Sequence, residues 1–468
     1  MGGPAVVDGN HPFRRAGQTQ NRMTERVLIM GAAGRDFHDF NTAYRGHDDA
    51  EVVAFTAAPG QNLGETEQGG HDRYPPELAG EGYSEGIPIH PESELEPIVR
   101  EEDVDTVVFA YSDVSHEEVM HAGSRAIAAD ADFEIRGPET AMLDAPVPVI
   151  AVDAVRTGCG KSQVSRALAD ELQSCGVEPA VVREPMPYGD LVEGRVRRFE
   201  TMADLDEAAV TIEEREEYEQ HLERGHVVYA GVDYGDVVEQ ASAEADVLLW
   251  DGGNNELPFV EPDLHLVLCD PLRAGAGTSY HPGEANLRMA DYALVNKENS
   301  ADASEIEEVV ENVESVNPDA EVLHADSVVS VEEPDAVAGA EVLVVEDGPT
   351  LTHGDASTGA GTVAAEQFGA AERIDPEPHA VGTVADALAE YPHLDRVLPA
   401  MGYSDGQIAD LEATIENADP DLVLAGTPHD LGGVIEVDVP VVRVRYRVEP
   451  TDWNVAGLLD DNADELGL

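Results

Sequence analysis

The fold class this sequence predicts is α/β with parallel sheets, on three observations. Short apolar runs recur, each closed by a glycine-rich or polar turn and followed by a helical stretch, the alternation that builds a parallel sheet with helices on both faces. One such run, Val149–Val152, leads through Arg156-Thr-Gly-Cys-Gly-Lys161-Ser162 into a helix, which is the order of a phosphate-binding loop. The chain is 42% hydrophobic, ordinary for a folded protein, although its formal charge is −69.

The elements follow in order. Residues 1–22 read as a flexible tail, and Met23 makes a natural start. Val27–Met30 is a buried strand ending in Gly31-Ala-Ala-Gly34, with a helix expected near Asp39–Arg45; Val52–Thr56, Thr106–Tyr111 and Ile135–Gly137 add strands. Together they make residues 23–145 a Rossmann-like domain. Ala145-Pro-Val-Pro148 is a stiff connector that marks a boundary. Residues 146–335 then form a P-loop NTPase domain with a mostly parallel sheet. Its strands are Val149–Val152, Glu178–Val182, Val247–Trp250, Leu264–Leu268 and Ala293–Val295. Helices are expected from Lys161 to Ser174 and within the acid-rich stretches 204–224 and 300–315. Residues 336–468, with strands at Glu341–Val345, Leu422–Ala425 and Val439–Val444, form a C-terminal α/β extension that either continues this sheet or stands apart.

Composition bounds the setting. The chain has 96 Asp and Glu against 27 Lys and Arg. Such a surface repels itself until salt shortens the Debye length, to ~3 Å near 1 M. We read a cytoplasmic, halophilic protein with no nucleic-acid partner. No apolar stretch approaches the ~20 residues needed to cross a bilayer, so no membrane partner is expected either. Cys159, Cys175 and Cys269 have neither metal-ligand spacing nor an even framework, as suits a reducing compartment. Only two lysines occur, Lys161 and Lys297, and both lie in nucleotide-binding sequences.

In the loop, glycines let successive N–H groups wrap a phosphate, and the helix N-terminus adds its dipole. Arg156, Thr157, Gly158, Cys159, Gly160, Lys161, Ser162 and Gln163 are the expected nucleotide-binding residues, with Lys161 on the terminal phosphates and Ser162 on Mg²⁺. Val155 replaces the first glycine of the common pattern, so the loop is closer to the K-G-G-x-G-K-S/T variant, in which the first cation points across a nucleotide-bound dimer. A homodimer is expected on that ground. Asp251, closing the strand Val247–Trp250 before Gly252-Gly253-Asn254-Asn255, suits Mg²⁺ or its water shell. Asn296-Lys297-Glu298-Asn299 resembles the Asn-Lys-x-Asp element that reads guanine. With Asn299 at the acid position, ATP is expected, GTP being possible. Arg183, the cluster Arg195, Arg197 and Arg198, and Arg273 are candidates to face an anion, Arg183 as a catalytic residue with Lys161 and Asp251. Arg443, Arg445 and Arg447 share one strand face and read as an exposed, ion-paired strand. Glu346–Gly354 is a polar loop after a strand, where open α/β sheets place ligands.

The ordered loops Arg156–Gln163, Arg183–Leu191, Trp250–Asn255, Tyr280–Glu284, Asn296–Lys297 and Glu346–Gly354, with Gly31–Asn41, resemble the cyclic 2,3-diphosphoglycerate synthetase family and the P-loop GTPases grouped with it. The resemblance runs from about residue 25 through most of the chain. It implies ATP-dependent formation of an intramolecular phosphoanhydride with release of ADP and phosphate. It further implies Mg²⁺, a potassium-rich cytosol and an anionic phosphorylated small-molecule substrate held by arginines. The alternative is a switch-type GTPase or metallochaperone NTPase acting on a protein partner.

Overall fold

A computed structural model of the chain describes residues 24–58, 71–184, 189–208, 210–253, 256–352, 356–400 and 405–468. The expected tail, Asn254–Asn255 and His353–Gly354 lie outside the described residues.

The N-terminal sheet contains β1 (Glu25–Met30), β2 (Ala50–Ala57), β3 (Arg73–Tyr74), β4 (Ile87–Pro91), β5 (Thr106–Phe109) and, after a short β6 (Val114–Ser115), β7 (Asp132–Ile135). Its order is β3-β4-β2-β1-β5-β7, and every pairing is parallel except β3 with β4. Val27–Met30 are fully buried, and Phe37 and Phe40 of the helix Arg35–Ala43 seal one face against Phe55 and Tyr74. That helix starts before the Asp39 expected from sequence, because Asp36 supplies its N-terminal acceptor. The Asp36 carboxylate takes the N–H groups of Ala33 (2.9 Å), Gly34 (3.3 Å) and Phe37 (2.8 Å). This is the position where a Rossmann-like helix would hold a phosphate, so the protein fills its own anion site here.

The second sheet begins with β8 (Val149–Ala154), β9 (Pro179–Arg183), β10 (Arg197–Phe199), β11 (Val227–Ala230), β12 (Val247–Asp251) and β13 (Leu264–Cys269). It continues, past β14 (Tyr280–His281), with β15 (Tyr292–Val295), β16 (Glu321–Val331), β17 (Glu341–Glu346), β18 (Glu372–Arg373), β19 (Leu398–Pro399), β20 (Leu422–Gly426) and β21 (Val441–Pro450). The order is β10-β11-β9-β12-β8-β13-β15-β16-β21-β20-β17-β18, with β19 also on β17. The C-terminal strands therefore continue the sheet that carries the phosphate loop.

One strand explains how. β16 is long: Glu321–His324 pair parallel to β15, and Ala325–Val331 pair antiparallel to β21. From β21 onward the strands β20 and β17 are again parallel to one another. Apart from the edge strand β10, which is antiparallel to β11, the sheet is thus two parallel halves of opposite direction, with the second half beyond the C-terminal edge of the first. C-terminal strand ends of both halves face each other across a gap, and that edge is where open α/β sheets bind ligands.

The helix Lys161–Ser174 packs Val164, Leu168 and Leu172, one stripe at helical spacing, on the buried face of β8. Each such side chain contributes roughly 1.5–3 kcal/mol by burial. The stretch 204–224 forms two helices, Met202–Glu207 and Ile212–Leu222. β6 pairs with β14, which ties the N-terminal sheet to the loop region of the larger one. Among the described residues no helix is long and apolar enough to cross a membrane.

Candidate active site

Ala154 is the last residue of β8, and the chain turns through Gly158 (φ 83°) and Gly160 (φ 110°), a left-handed conformation that disfavours side chains. A Cβ on Gly160 would lie 2.4 Å from Asn296 Nδ2, so space as well as torsion excludes one. The loop is propped from behind. Asn296, fully buried, donates to the Cys159 carbonyl (2.8 Å), and Lys297 donates to the Gly158 carbonyl (2.6 Å) and to Asp270 Oδ2 (2.9 Å). Both were expected as nucleotide ligands. The Asn296 side chain instead braces the loop, while Lys297 braces it and also lines the adjoining cavity. Asn299 is spent on the backbone of Ser327, so it offers no group to a guanine.

The cavity, about 350 Å³, is walled on one side by Thr157, Gly158, Gly160, Lys161, Ser162 and Gln163. On the other side stand Glu216 and Glu217 of the helix Ile212–Leu222, Glu346 and Asp347 at the end of β17, and Gly426 at the end of β20. It therefore occupies the gap between the two half-sheets. Arg166, Arg183, Arg273 and Tyr446 complete it.

Two expectations for the loop are corrected. Arg156 does not reach the cavity or point outward toward a second copy: it is 3% exposed, its Nε lies 2.7 Å from Asp113 Oδ1, and its guanidinium stacks 3.7 Å from the Tyr280 ring centroid. The N-terminal domain supplies Asp113, which also accepts the Thr157 N–H (3.0 Å), so the cation is used to lock that domain onto the loop. This removes the reason for expecting a dimer. Cys159, expected among the nucleotide-binding residues, has its side chain fully buried outside the cavity lining, and burial pushes its thiol pKa up.

Asp251 and Arg183 act as a unit. Asp251 is wholly buried and lies outside the cavity lining; its Oδ2 sits 2.6 Å from Arg183 Nη1 and 3.3 Å from His221 Nε2. Burial would raise its pKa, but Arg183 and His221 outweigh that and hold the carboxyl well below its usual range. Arg183 also pairs with Glu217, so Glu217, Arg183 and Asp251 form a chain of alternating charge running inward from the cavity wall. Asp251 Oδ1 has no hydrogen-bond partner among the described residues. With the Ser162 hydroxyl on the first helical turn, that orphaned acceptor fits a hydrated Mg²⁺, an ion that takes few protein ligands beside substrate phosphates. The described residues contain no group of three or more His, Cys, Asp or Glu placed to hold a metal ion.

The arginines expected to grip an anion separate into two groups. Arg195 pairs with Asp233 (3.3 Å) and Asp236 (2.5 Å), Arg197 with Glu214 (2.8 Å), and Arg198 with Glu244 (2.6 Å) and Glu200 (2.9 Å), all away from the cavity. Arg183 and Arg273 do line it, but carboxylates already hold them, Arg273 through Asp270 (3.0 Å). Arg443, Arg445 and Arg447 are ion-paired along β21 as expected, although Arg443 is buried.

The far wall was barely visible in sequence. Glu346 accepts N–H groups from Gly359 (2.9 Å), Gly361 (2.8 Å) and Thr362 (2.7 Å), which fixes the start of the helix Ala360–Gln367. Glu216 Oε1 is held by His429 Nδ1 (2.7 Å) and Thr427 Oγ1 (2.8 Å) from the loop after β20. These residues lie some 200 positions apart in sequence and carry no motif.

Fold and site together define an α/β protein that presents a glycine-rich phosphate loop to a charge-lined cavity. The chain is 55% identical, over 426 residues, to the Thermococcus kodakarensis protein named arginine synthetase ArcE; the match covers 91% of this chain and 94% of that one. It belongs to the family of that protein. No protein-family model matches it. Among solved structures it resembles LpxK from Aquifex aeolicus in complex with ATP, at 13% identity, covering 70% of this chain and 89% of that chain, with a TM-score of 0.36. It also resembles the hydrogenase maturation factor HypB from Archaeoglobus fulgidus, at 16% identity, covering 38% and 81%, with a TM-score of 0.26. Both likenesses are distant.

Proposed function

We propose that this chain is an ATP-dependent synthetase whose product is arginine. The reading rests on the 55% identical relative of that name and, in the chain itself, on a cavity whose wall opposite the phosphate loop is acidic. A guanidinium group is assembled under ATP by attaching phosphate to the oxygen of a ureido carbon and displacing it with nitrogen. An enzyme that ends on arginine itself takes that nitrogen as ammonia, so the substrates are citrulline, ammonia and ATP, and the products arginine, ADP and phosphate.

In this account Lys161 and the loop N–H groups hold the terminal phosphates while the ureido oxygen attacks the γ-phosphorus and the bond to the ADP oxygen breaks. Ser162 and Asp251 Oδ1 would hold Mg²⁺, which would offset charge on the phosphates. Ammonia then attacks the ureido carbon and phosphate leaves. Arg183, anchored by Asp251 and Glu217, faces the developing phosphate charge. Glu217 and Glu216 suit the cationic guanidinium that forms.

Formation of cyclic 2,3-diphosphoglycerate is the second reading. Lys161, Arg166, Arg183 and Arg273 on the cavity wall favour it, as does the set of loops shared with that family. Against it, Glu216, Glu217, Glu346 and Asp347 face the same space, and a substrate carrying two phosphates would meet them unscreened. Incubation of the protein with MgATP in about 2–3 M KCl, where exposed charges are screened, separates the two. Arginine appearing only when citrulline and ammonia are both supplied supports the first reading. A cyclic phosphoanhydride by ³¹P NMR from 2,3-diphosphoglycerate, with no arginine, replaces it with the second. Nucleotide hydrolysis indifferent to either substrate returns the chain to the switch-type NTPases.

A further inference from the structure

Arg166 is the anomaly of the cavity. It is 5% exposed, it lines the cavity, and among the described residues no carboxylate pairs with it and no acceptor bonds it. A guanidinium buried to that degree is costly to leave without an anion. The charges nearest to it that could help are already taken: Asp251 belongs to Arg183 and His221. Its other neighbour is Tyr446, whose own charged surroundings are Asp347, Arg166, Glu216 and Glu346. Tyr446 thus has one open cation and a set of anions among its neighbours.

On the anionic side, two carboxylates keep an oxygen in reserve. Glu216 Oε1 is fixed by His429 and Thr427, and no described residue partners its Oε2. Asp347 Oδ2 is fixed by the N–H and hydroxyl of Thr350, and no described residue partners its Oδ1. Glu346, by contrast, is consumed by three N–H groups and is a prop. An open cation and open anions lining one cavity match a zwitterion better than a polyanion or a second phosphate.

We infer that the cavity holds an α-amino-acid subsite in which Arg166, on the helix that follows the phosphate loop, takes the α-carboxylate and Glu216 with Asp347, on the opposite wall, takes the α-ammonium. The inference rests on the synthetase reading for the identity of the amino acid, and it adds which end of that molecule is recognised and by what. Arg166 lies on the second turn of the helix that begins at Lys161, so an amino acid gripped there extends its side chain toward the phosphates. The α-groups then select for a free amino acid, whereas the loop acts on the distal ureido or guanidinium group.

Calorimetric titration of the full chain, preloaded with MgADP in about 2–3 M KCl, tests it with three ligands. They are L-arginine, agmatine, which lacks the carboxylate, and Nα-acetyl-L-arginine, which lacks the ammonium. Wild type is expected to prefer L-arginine over each of the others by about 30-fold or more, the loss usual for an unpaired buried charge. Arg166→Gln should weaken L-arginine by a similar factor and leave agmatine within about 3-fold. Asp347→Asn should weaken L-arginine and leave the acetylated ligand unchanged. MgADP affinity should hold in both variants, and Arg166→Lys replaces Arg166→Gln if circular dichroism shows that variant unfolded. Agmatine binding as tightly as L-arginine to wild type overturns the subsite, as does an Arg166→Gln variant that weakens both ligands alike or weakens MgADP in its place; the synthetase reading survives either result. No binding of L-arginine to wild type overturns both.

Discussion

Lys161 and Asp347 carry the account at the scale of single residues. Lys161 faces the cavity from the first position of its helix, at 7% exposure, as the loop sequence predicted. Lys161→Ala should lower MgATP affinity by about 100-fold with the fold intact, measured by fluorescence titration alongside circular dichroism; an unchanged affinity would remove the loop from the site. Asp347 is pushed up to about 7, first by burial and then by Glu216, against hydrogen bonds from Thr350. Glu346 and Tyr446 are further ionisable groups near it. Because its folded pKa lies above the unfolded value of 3.8, the folded protein binds this proton more tightly than the unfolded chain does. Its contribution to stability is full below that value and is lost as pH rises toward about 7. A bound α-ammonium favours the ionised form, so L-arginine affinity should climb from about pH 5.5 to about pH 7 and then level. Proton release in buffers of different ionisation enthalpy checks this, and an affinity flat across that range contradicts it.

Single elements reveal what sequence could and could not disclose. The strand, loop and helix from Val149 to Ser174 were legible because each local signal agreed with the next: an apolar run, glycines, Lys-Ser, then an amphipathic stripe. The helix bounds matched at both ends. Asn296 and Lys297 were found as residues, but their bracing of the loop was not foreseen, since a motif does not say which side of the loop its side chains will occupy. Arg156 was misread because its partner, Asp113, comes from another domain. β16 was missed altogether: Glu321–Val331 mixes His324, Asp326 and Ser327 into an apolar run, yet its length is what turns the sheet back and makes the far wall. The Asn296 brace has a measurable consequence. Asn296→Ala leaves the buried Cys159 carbonyl unpaired and should cost about 1–3 kcal/mol of stability while weakening nucleotide. Gly426→Ala tests the far wall: its Cβ would lie 2.3 Å from Glu346 Oε2 and 2.7 Å from Gly361 N, within the N–H cradle. That variant should lose amino-acid binding before it loses MgADP, by calorimetry; the reverse order would detach the cradle from the subsite.

Across the whole molecule, charge is divided by place. Most carboxylates among the described residues are solvent-facing, while those that build the cavity are held by arginine, histidine or backbone N–H groups. Stability should therefore rise steeply between low salt and about 2 M KCl and then flatten as exposed repulsion is screened, followed by thermal unfolding. A melting temperature indifferent to KCl would contradict the reading of the surface as salt-adapted. The two half-sheets, whose strands join at the β16–β21 seam, would bring a nucleotide wall and an amino-acid wall to one cavity. The most direct measurement of that claim follows an oxygen atom. With citrulline labelled by ¹⁸O at the ureido position, MgATP and ammonia, the released phosphate should carry one ¹⁸O for each arginine formed. Unlabelled phosphate, or label recovered in water, would contradict transfer of phosphate to the amino acid within this cavity.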